Sequence, residues 1–201
     1  MAKMSFLAAA IGACLVSGVA LAQPAHPLRT RGVITSVSGN ELDVTSRSGA
    51  KVVYVLTDKT RIAGMTIAKL SDIKPGSFIG SAAIPLPDGK LKALEVHVFP
   101  PSLRGMGEGH RPWDQGKGSS MTNGTVGKLV VANGDTMTVT YHGGQKIIVV
   151  PPDVPIVGIV PGDRALLTVG AHVSASGAKD TDGSIHALNV SVGLNGLVPP
   201  T

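Results

Sequence analysis

The feature that most constrains the fold of this chain is that it repeats itself. Arg31-Gly32-Val33-Ile34 returns as Asn123-Gly124-Thr125-Val126, and Leu42-Asp43-Val44-Thr45 returns as Met137-Thr138-Val139-Thr140. Further on, Gly49 to Val55 parallels Gly144 to Val150, Ile73-Lys74-Pro75-Gly76-Ser77 parallels Ile159-Val160-Pro161-Gly162-Asp163, and Asp88 to Val96 parallels Asp182 to Val190. One unit of about 70 residues therefore occurs twice, too few times for a solenoid. Each unit is expected to close its own small core.

Within a unit the side chains alternate with period two. Leu42 and Val44 are flanked by Glu41, Asp43 and Thr45, and Met137 and Val139 by Thr136, Thr138 and Thr140, the pattern of strands with one buried face. Gly39-Asn40 and Asn133-Gly134 mark a first hairpin, Ser48-Gly49 and Gly143-Gly144 a second, and Asp88-Gly89 and Asp182-Gly183 a last. With 26 Gly and 14 Pro and no strict period, the composition suits many short strands joined by tight turns rather than collagen or a linker. Five strands per unit follow, with a short helix at Thr66 to Ile73 of the first unit, stopped by Pro75 and Gly76. That order predicts an all-β protein of two tandem OB-like five-stranded barrels. Aligned on the two Pro-Gly turns, the second unit lacks about nine residues at the helix and carries about eight extra around Ser174 to Lys179.

The recurring Gly-x-Ile/Val opening, the Pro-Gly-Ser/Asp turn and the Asp-Gly-x-x-x-Ala-x-x-Val ending resemble an uncharacterised bacterial family of exported OB-like repeat domains of unknown function. The resemblance covers about two thirds of the chain and rests on turn and core positions. It implies a fold and no reaction.

The expected division is a signal peptide at 1–22, an N-terminal extension at 23–30, the first repeat at 31–99, a Gly/Pro-rich connector at 100–122, the second repeat at 123–193 and a tail at 194–201. Lys3, the apolar run from Phe6 to Val16 and the small-x-small site Ala20-Leu21-Ala22 predict cleavage before Gln23 and a periplasmic or secreted product. The competing reading is acylation of Cys14 within Ile11-Gly12-Ala13-Cys14. Cleavage would leave no cysteine, and so no disulfide, thiolate or Cys-based metal chemistry. No later segment is apolar for long enough to span a bilayer as a helix: Ile147 to Val160 is broken by Pro151, Pro152 and Pro155. The net charge of +5 comes from scattered residues, a mildly positive surface that would suit an anionic envelope polymer.

Nucleic acid is not the expected partner, because stacking platforms need aromatic side chains and only 3% of residues are aromatic. No G-x-S-x-G, H-E-x-x-H or Walker loop is present, so no enzyme is predicted. The chemistry gathers from Glu95 to Asp114. Glu95 and His97 share a strand face opposite Leu94, Val96 and Val98, and their counterparts in the second unit are Asn189 and Ser191. Glycines 105, 107 and 109 would let the connector fold back, so that Glu95, His97, Glu108 and His110, with Asp114 near, could surround a divalent metal such as zinc or copper. The other reading is an envelope adaptor protein that docks on a partner through Arg104, Arg111 and Trp113, the only tryptophan.

Overall fold

The computed structural model describes residues 27–130 and 135–200. The signal peptide, Cys14 and the Asn133-Gly134 turn lie outside the described residues. The first repeat forms β1 (Leu28–Ser38), β2 (Glu41–Ser46), β3 (Lys51–Val55), β4 (Arg61–Ile67), β5 (Phe78–Pro85) and β6 (Leu91–Phe99). The connector contributes β7 (Gly109–Pro112). The second repeat forms β8 (Ser120–Val130), β9 (Asp135–Tyr141), β10 (Gly144–Val150), β11 (Ile156–Pro161), β12 (His172–Lys179) and β13 (Ile185–Gly193). Among the described residues there is no α-helix, only 3-10 turns at Leu70–Asp72, Pro101–Leu103 and Arg164–Leu166. The fold is all-β, as the period-two alternation requires. The expected helix at Thr66 to Ile73 is the end of β4 followed by a single 3-10 turn, too short a stretch before Pro75 to nucleate an α-helix.

The repeats do not close on themselves. β5, β6, β8, β9 and β10 form one closed barrel, in which strands of the first repeat pair with strands of the second, and the closing contact is the parallel pair Ile148↔Leu91 and Val149↔Lys92. β1, β2 and β3 of the first repeat pair instead with β12 and β13 of the second, and the two ends of this companion ring meet at one residue pair, His186↔Val55. Each core is therefore mixed. Ile34, Leu42 and Tyr54 pack with Val173, Val190 and Val192, while Ile79, Ala93 and Val96 pack with Met137, Val139 and Ile148. The expectation of one self-contained barrel per repeat is corrected by this exchange.

β4 and β11 are the arms that carry the chain from one assembly to the other. They pair antiparallel with Met65 opposite Ile159, Thr66 opposite Gly158 and Gly64 opposite Val160. One and the same displacement along the chain carries Met65 to Ile159, Gly64 to Gly158, Gly76 to Gly170 and Asp88 to Asp182. The seam is thus a strand pairing with its own copy about a local twofold axis through Met65 and Ile159, as in an isologous dimer interface.

That displacement also corrects the alignment of the repeats. The turn before β12 is Val169-Gly170, where Gly170 has φ +88°, matching Gly76 at +89°. Pro161-Gly162 lies instead at the end of β11. The left-handed backbone, which only glycine adopts cheaply, marks the equivalent turn, whereas proline does not. With Gly76 set against Gly170, the missing helix and the extra residues both vanish: the 3-10 turn at Arg164–Leu166 stands where Leu70–Asp72 stands in the first repeat.

Beyond β13 the described tail is packed rather than loose. Leu194 donates its backbone N–H to Met65, and Arg47 donates to the Pro199 carbonyl at 2.7 Å.

The candidate site in the cleft between the two assemblies

A β-bulge decides which side chains reach the cleft. In β6, Ala93 pairs with Ala83 and Glu95 with Ala82, so Leu94 is left unpaired and the inward phase shifts. Leu91 and Ala93 face the barrel core before the bulge and Val96 after it, which turns Glu95, His97 and Phe99 to the outer face. β13 repeats the device, with Leu188 unpaired between Ala187 and Asn189, and turns Asn189 and Ser191 outward. These outer faces are covered by the rest of the molecule: Glu95 is 1% exposed and His97 8%.

Two pseudo-equivalent walls result. On the barrel side the rows are Glu95–Ala82–Met121–Arg111 and His97–Gly80–Asn123 across β6, β5, β8 and β7. On the ring side they are Asn189–Ser176–Arg29 and Ser191–Ser174–Arg31 across β13, β12 and β1. Directly paired residues share a face. The two walls and the connector border a half-open cavity of about 580 Å³, touched by His97, Phe99, Asn123, Asn189, Ser191 and Trp113 among others. Gly80 helps to open it: a Cβ there would lie 2.7 Å from Asn123 Oδ1 and 3.3 Å from the Phe99 ring.

The connector forms the lid. Its glycines at 105, 107 and 109 take φ of +83°, +58° and +129°, and they fold the chain back so that β7 pairs with β8. The expected fold-back occurs, with a different result for the metal set. His110 pairs with Thr122, in the same row as Ser81 and Val96, and therefore lies on the opposite sheet face from Glu95 and His97. His110 Nδ1 is 2.8 Å from Thr122 Oγ1 and its ring stacks on Tyr141. Burial first, then the charges of Lys146 and Arg111, holds its pKa below the usual imidazole value. Glu108 is exposed and accepts the His142 backbone N–H at 2.9 Å. Among the described residues no three His, Cys, Asp or Glu side chains gather in a way that could hold a metal ion. Of the four expected ligands only Glu95 and His97 meet, with Glu95 Oε1 3.3 Å from His97 Nε2. Both Glu95 carboxylate oxygens are buried without a hydrogen-bond donor.

The expected docking residues divide in the same way. Arg104 donates to the Gly76 carbonyl at 2.6 Å and to Thr125 Oγ1 at 3.2 Å, clamping the connector to the barrel. Trp113 is turned inward to the cavity. The Arg29 guanidinium carbon lies 3.8 Å above its ring centroid, and that of Arg111 lies 5.6 Å from it. Arg111 also donates to the Gly107 carbonyl at 2.7 Å. Burial lowers the pKa of both arginines, and the neighbouring Arg29 lowers Arg111 further. Arg31 is paired with Asp114 at 2.9 Å. Burial alone would raise Asp114, but the Arg31 hydrogen bond and the charges of Arg31 and Arg29 outweigh it and hold the carboxyl below the usual range.

Sequence reasoning missed Arg29, Arg31 and Asn123. Arg29-Thr30-Arg31 on a strand does put two guanidiniums on one face, which was a usable signal. What they face depends on the exchange of strands between repeats, which local spacing does not encode.

No curated protein and no solved structure matches this chain. A family model described as a domain of unknown function, DUF5666, matches residues 31–97, the first repeat from its opening glycine strand to His97.

Proposed function

We propose that this protein is an exported binding module that takes a small molecule into the cleft between its two five-strand assemblies, each of which we read as OB-like. The strand order in each, first-second-third-fifth-fourth of its kind, supports the OB-like reading. Export rests on the sequence of residues 1–22 alone. The observation that carries binding is the 580 Å³ cavity together with two unsatisfied buried groups on its lining residues, the Trp113 indole N–H and Asn123 Oδ1. That volume lies within the range of small-molecule sites. A buried donor or acceptor left unpaired costs about 1–3 kcal/mol, which a ligand can recover.

Two features favour this reading over the metal and adaptor readings. His110 shares no sheet face with Glu95 and His97, and Trp113 is turned into the cavity rather than towards a partner. The test is binding of a neutral apolar fluorescent probe, N-phenyl-1-naphthylamine, to the exported protein. Saturable one-to-one binding is expected, abolished by Ser191→Phe, which fills the cavity, and retained by Ser48→Phe on the exposed β2–β3 turn. Equal binding by the two variants sinks the proposal. A zinc-induced rise in melting temperature lost in both His97→Ala and His110→Ala would restore the metal reading.

A further inference from the structure

The two walls of the cleft are copies in backbone and differ in the side chains they carry. Where the barrel wall carries Glu95, Ala82 and Met121, the ring wall carries Asn189, Ser176 and Arg29; where the first has His97, Gly80 and Asn123, the second has Ser191, Ser174 and Arg31. The connector adds Arg111 and Trp113. Arg29, Arg111 and Trp113 thereby line the cavity together.

Arg29 and Arg111 flank one indole ring, and among the described residues neither forms an ion pair. Asp114, whose charge reaches Arg29, is itself bonded to Arg31. The N–H of that indole is buried and has no acceptor. Two like charges, partly desolvated and side by side, are unfavourable unless an anion joins them. Guanidinium forks also match the two oxygens of a carboxylate or phosphate. The remainder of the lining changes character, with Met65, Phe99, Leu103, Met106 and Ile159 offering apolar surface.

We propose that the cleft ligand is an amphipathic oxyanion, its carboxylate or phosphate head held by Arg29, Arg111 and the Trp113 N–H and its apolar body laid against Phe99, Met65 and Ile159. This inference rests on the proposed small-molecule site and names its ligand class. Arg29, Arg111 and Trp113, all of which line the cavity, become the specificity residues of the site.

The experiment is displacement of N-phenyl-1-naphthylamine from the exported protein by four probes with one chain length and different heads: decanoate, decyl phosphate, decanol and decyltrimethylammonium. The two anions are expected to compete at concentrations at least tenfold below decanol, with the cation weakest. Decanoate against decyl phosphate separates a fatty-acid source from a phosphate-ester source. Arg29→Gln/Arg111→Gln should erase the tenfold gap while leaving decanol unchanged. If the double variant does not fold, Arg111→Gln alone, which gives up the Gly107 carbonyl and the more distant of the two guanidinium contacts to Trp113, should narrow the gap at least threefold. Decanol or the cation competing as well as the anions overturns the ligand class and leaves the cavity site standing. Failure of the neutral dye to bind at all fails the binding reading itself.

Discussion

The exchange of strands between repeats can be tested without any ligand, through a pair of residues that only this topology brings together. Leu91 of the first repeat and Ile148 of the second sit opposite each other where the barrel closes, 7% and 0% exposed. Leu91→Ala should cost about 2–5 kcal/mol and Ile148→Val about 0.5–1.5 kcal/mol. The methyl removed from Ile148 belongs to the same core as the cavity left at position 91, so part of its contact is already lost in the Leu91→Ala background. About one CH2 of burial, ~0.8 kcal/mol, is the scale of the shared term. The double variant should therefore depart from additivity by about 0.5–1 kcal/mol, beyond the few tenths expected of distant sites. Leu91→Ala combined with Val44→Ala is the control. Both belong to the first repeat but to different cores, and they should add within about 0.5 kcal/mol. Urea unfolding followed by circular dichroism reads these differences; with m about 2 kcal/mol/M the coupling displaces the midpoint by roughly 0.3–0.5 M. If Leu91 couples to Val44 and not to Ile148, the repeats close on themselves and the strand pairing described above is wrong.

Other outcomes follow from named contacts. A Cβ on Gly32 would run into the Thr45 carbonyl, and one on the equivalent Gly124 into the Thr140 carbonyl, whereas Gly127 has its nearest such atom at 3.8 Å; Gly32→Ala and Gly124→Ala should each cost about 3 kcal/mol or more, and Gly127→Ala less than about 1, by thermal melts. Because the folded His110 pKa is depressed, the unfolded chain binds its proton first, so stability should fall as pH drops below about 6.5 and level off below the folded value. His110→Gln should flatten that part of the pH profile, and an unchanged slope between pH 7 and 5 would remove His110 as its cause. Asp114 is also depressed, so its contribution is present above about pH 4 and is lost as pH falls through the folded value; urea midpoints of Asp114→Asn should be less acid-sensitive than those of the native protein in that window. Trp113 emission should shift on addition of decanoate, and Arg29→Gln should shift it in the free protein by removing the guanidinium 3.8 Å from the ring.

Much of the local architecture was legible. Alternation at Leu42–Val44 and Met137–Val139 marks strands, and Gly49, Gly89 and Gly183 take the positive φ that their turns require. The bulge was legible too, though only as a broken rule: Ala93-x-x-Val96 and Ala187-x-x-Val190 put two core residues three apart, which period two forbids. Reading Leu94 with Val96 and Val98 as one face missed that shift. The exchange of strands was not legible, because duplicated strands carry duplicated patterns. β5 presents the same face to β8 as β12 presents to β1, and nothing in either sequence says which copy it will meet. Only β4 and β11 distinguish the alternatives, and their pairing depends on the path between two assemblies rather than on a local residue preference. What parts His110 from Glu95 and His97 is a smaller point, the parity of His110 against Arg111 on β7, which one residue of register decides.

The seam at Met65 and Ile159 also has a consequence in time. β1, β2 and β3 are made well before β12 and β13, the strands that complete their ring. Closing that ring spans nearly the whole sequence, the kind of contact that slows folding. The barrel likewise waits for β8, β9 and β10 to meet β5 and β6. A chain that stops after β6 therefore has no finished unit to lock into; the barrel can close once β10 is made, and the ring waits for β13.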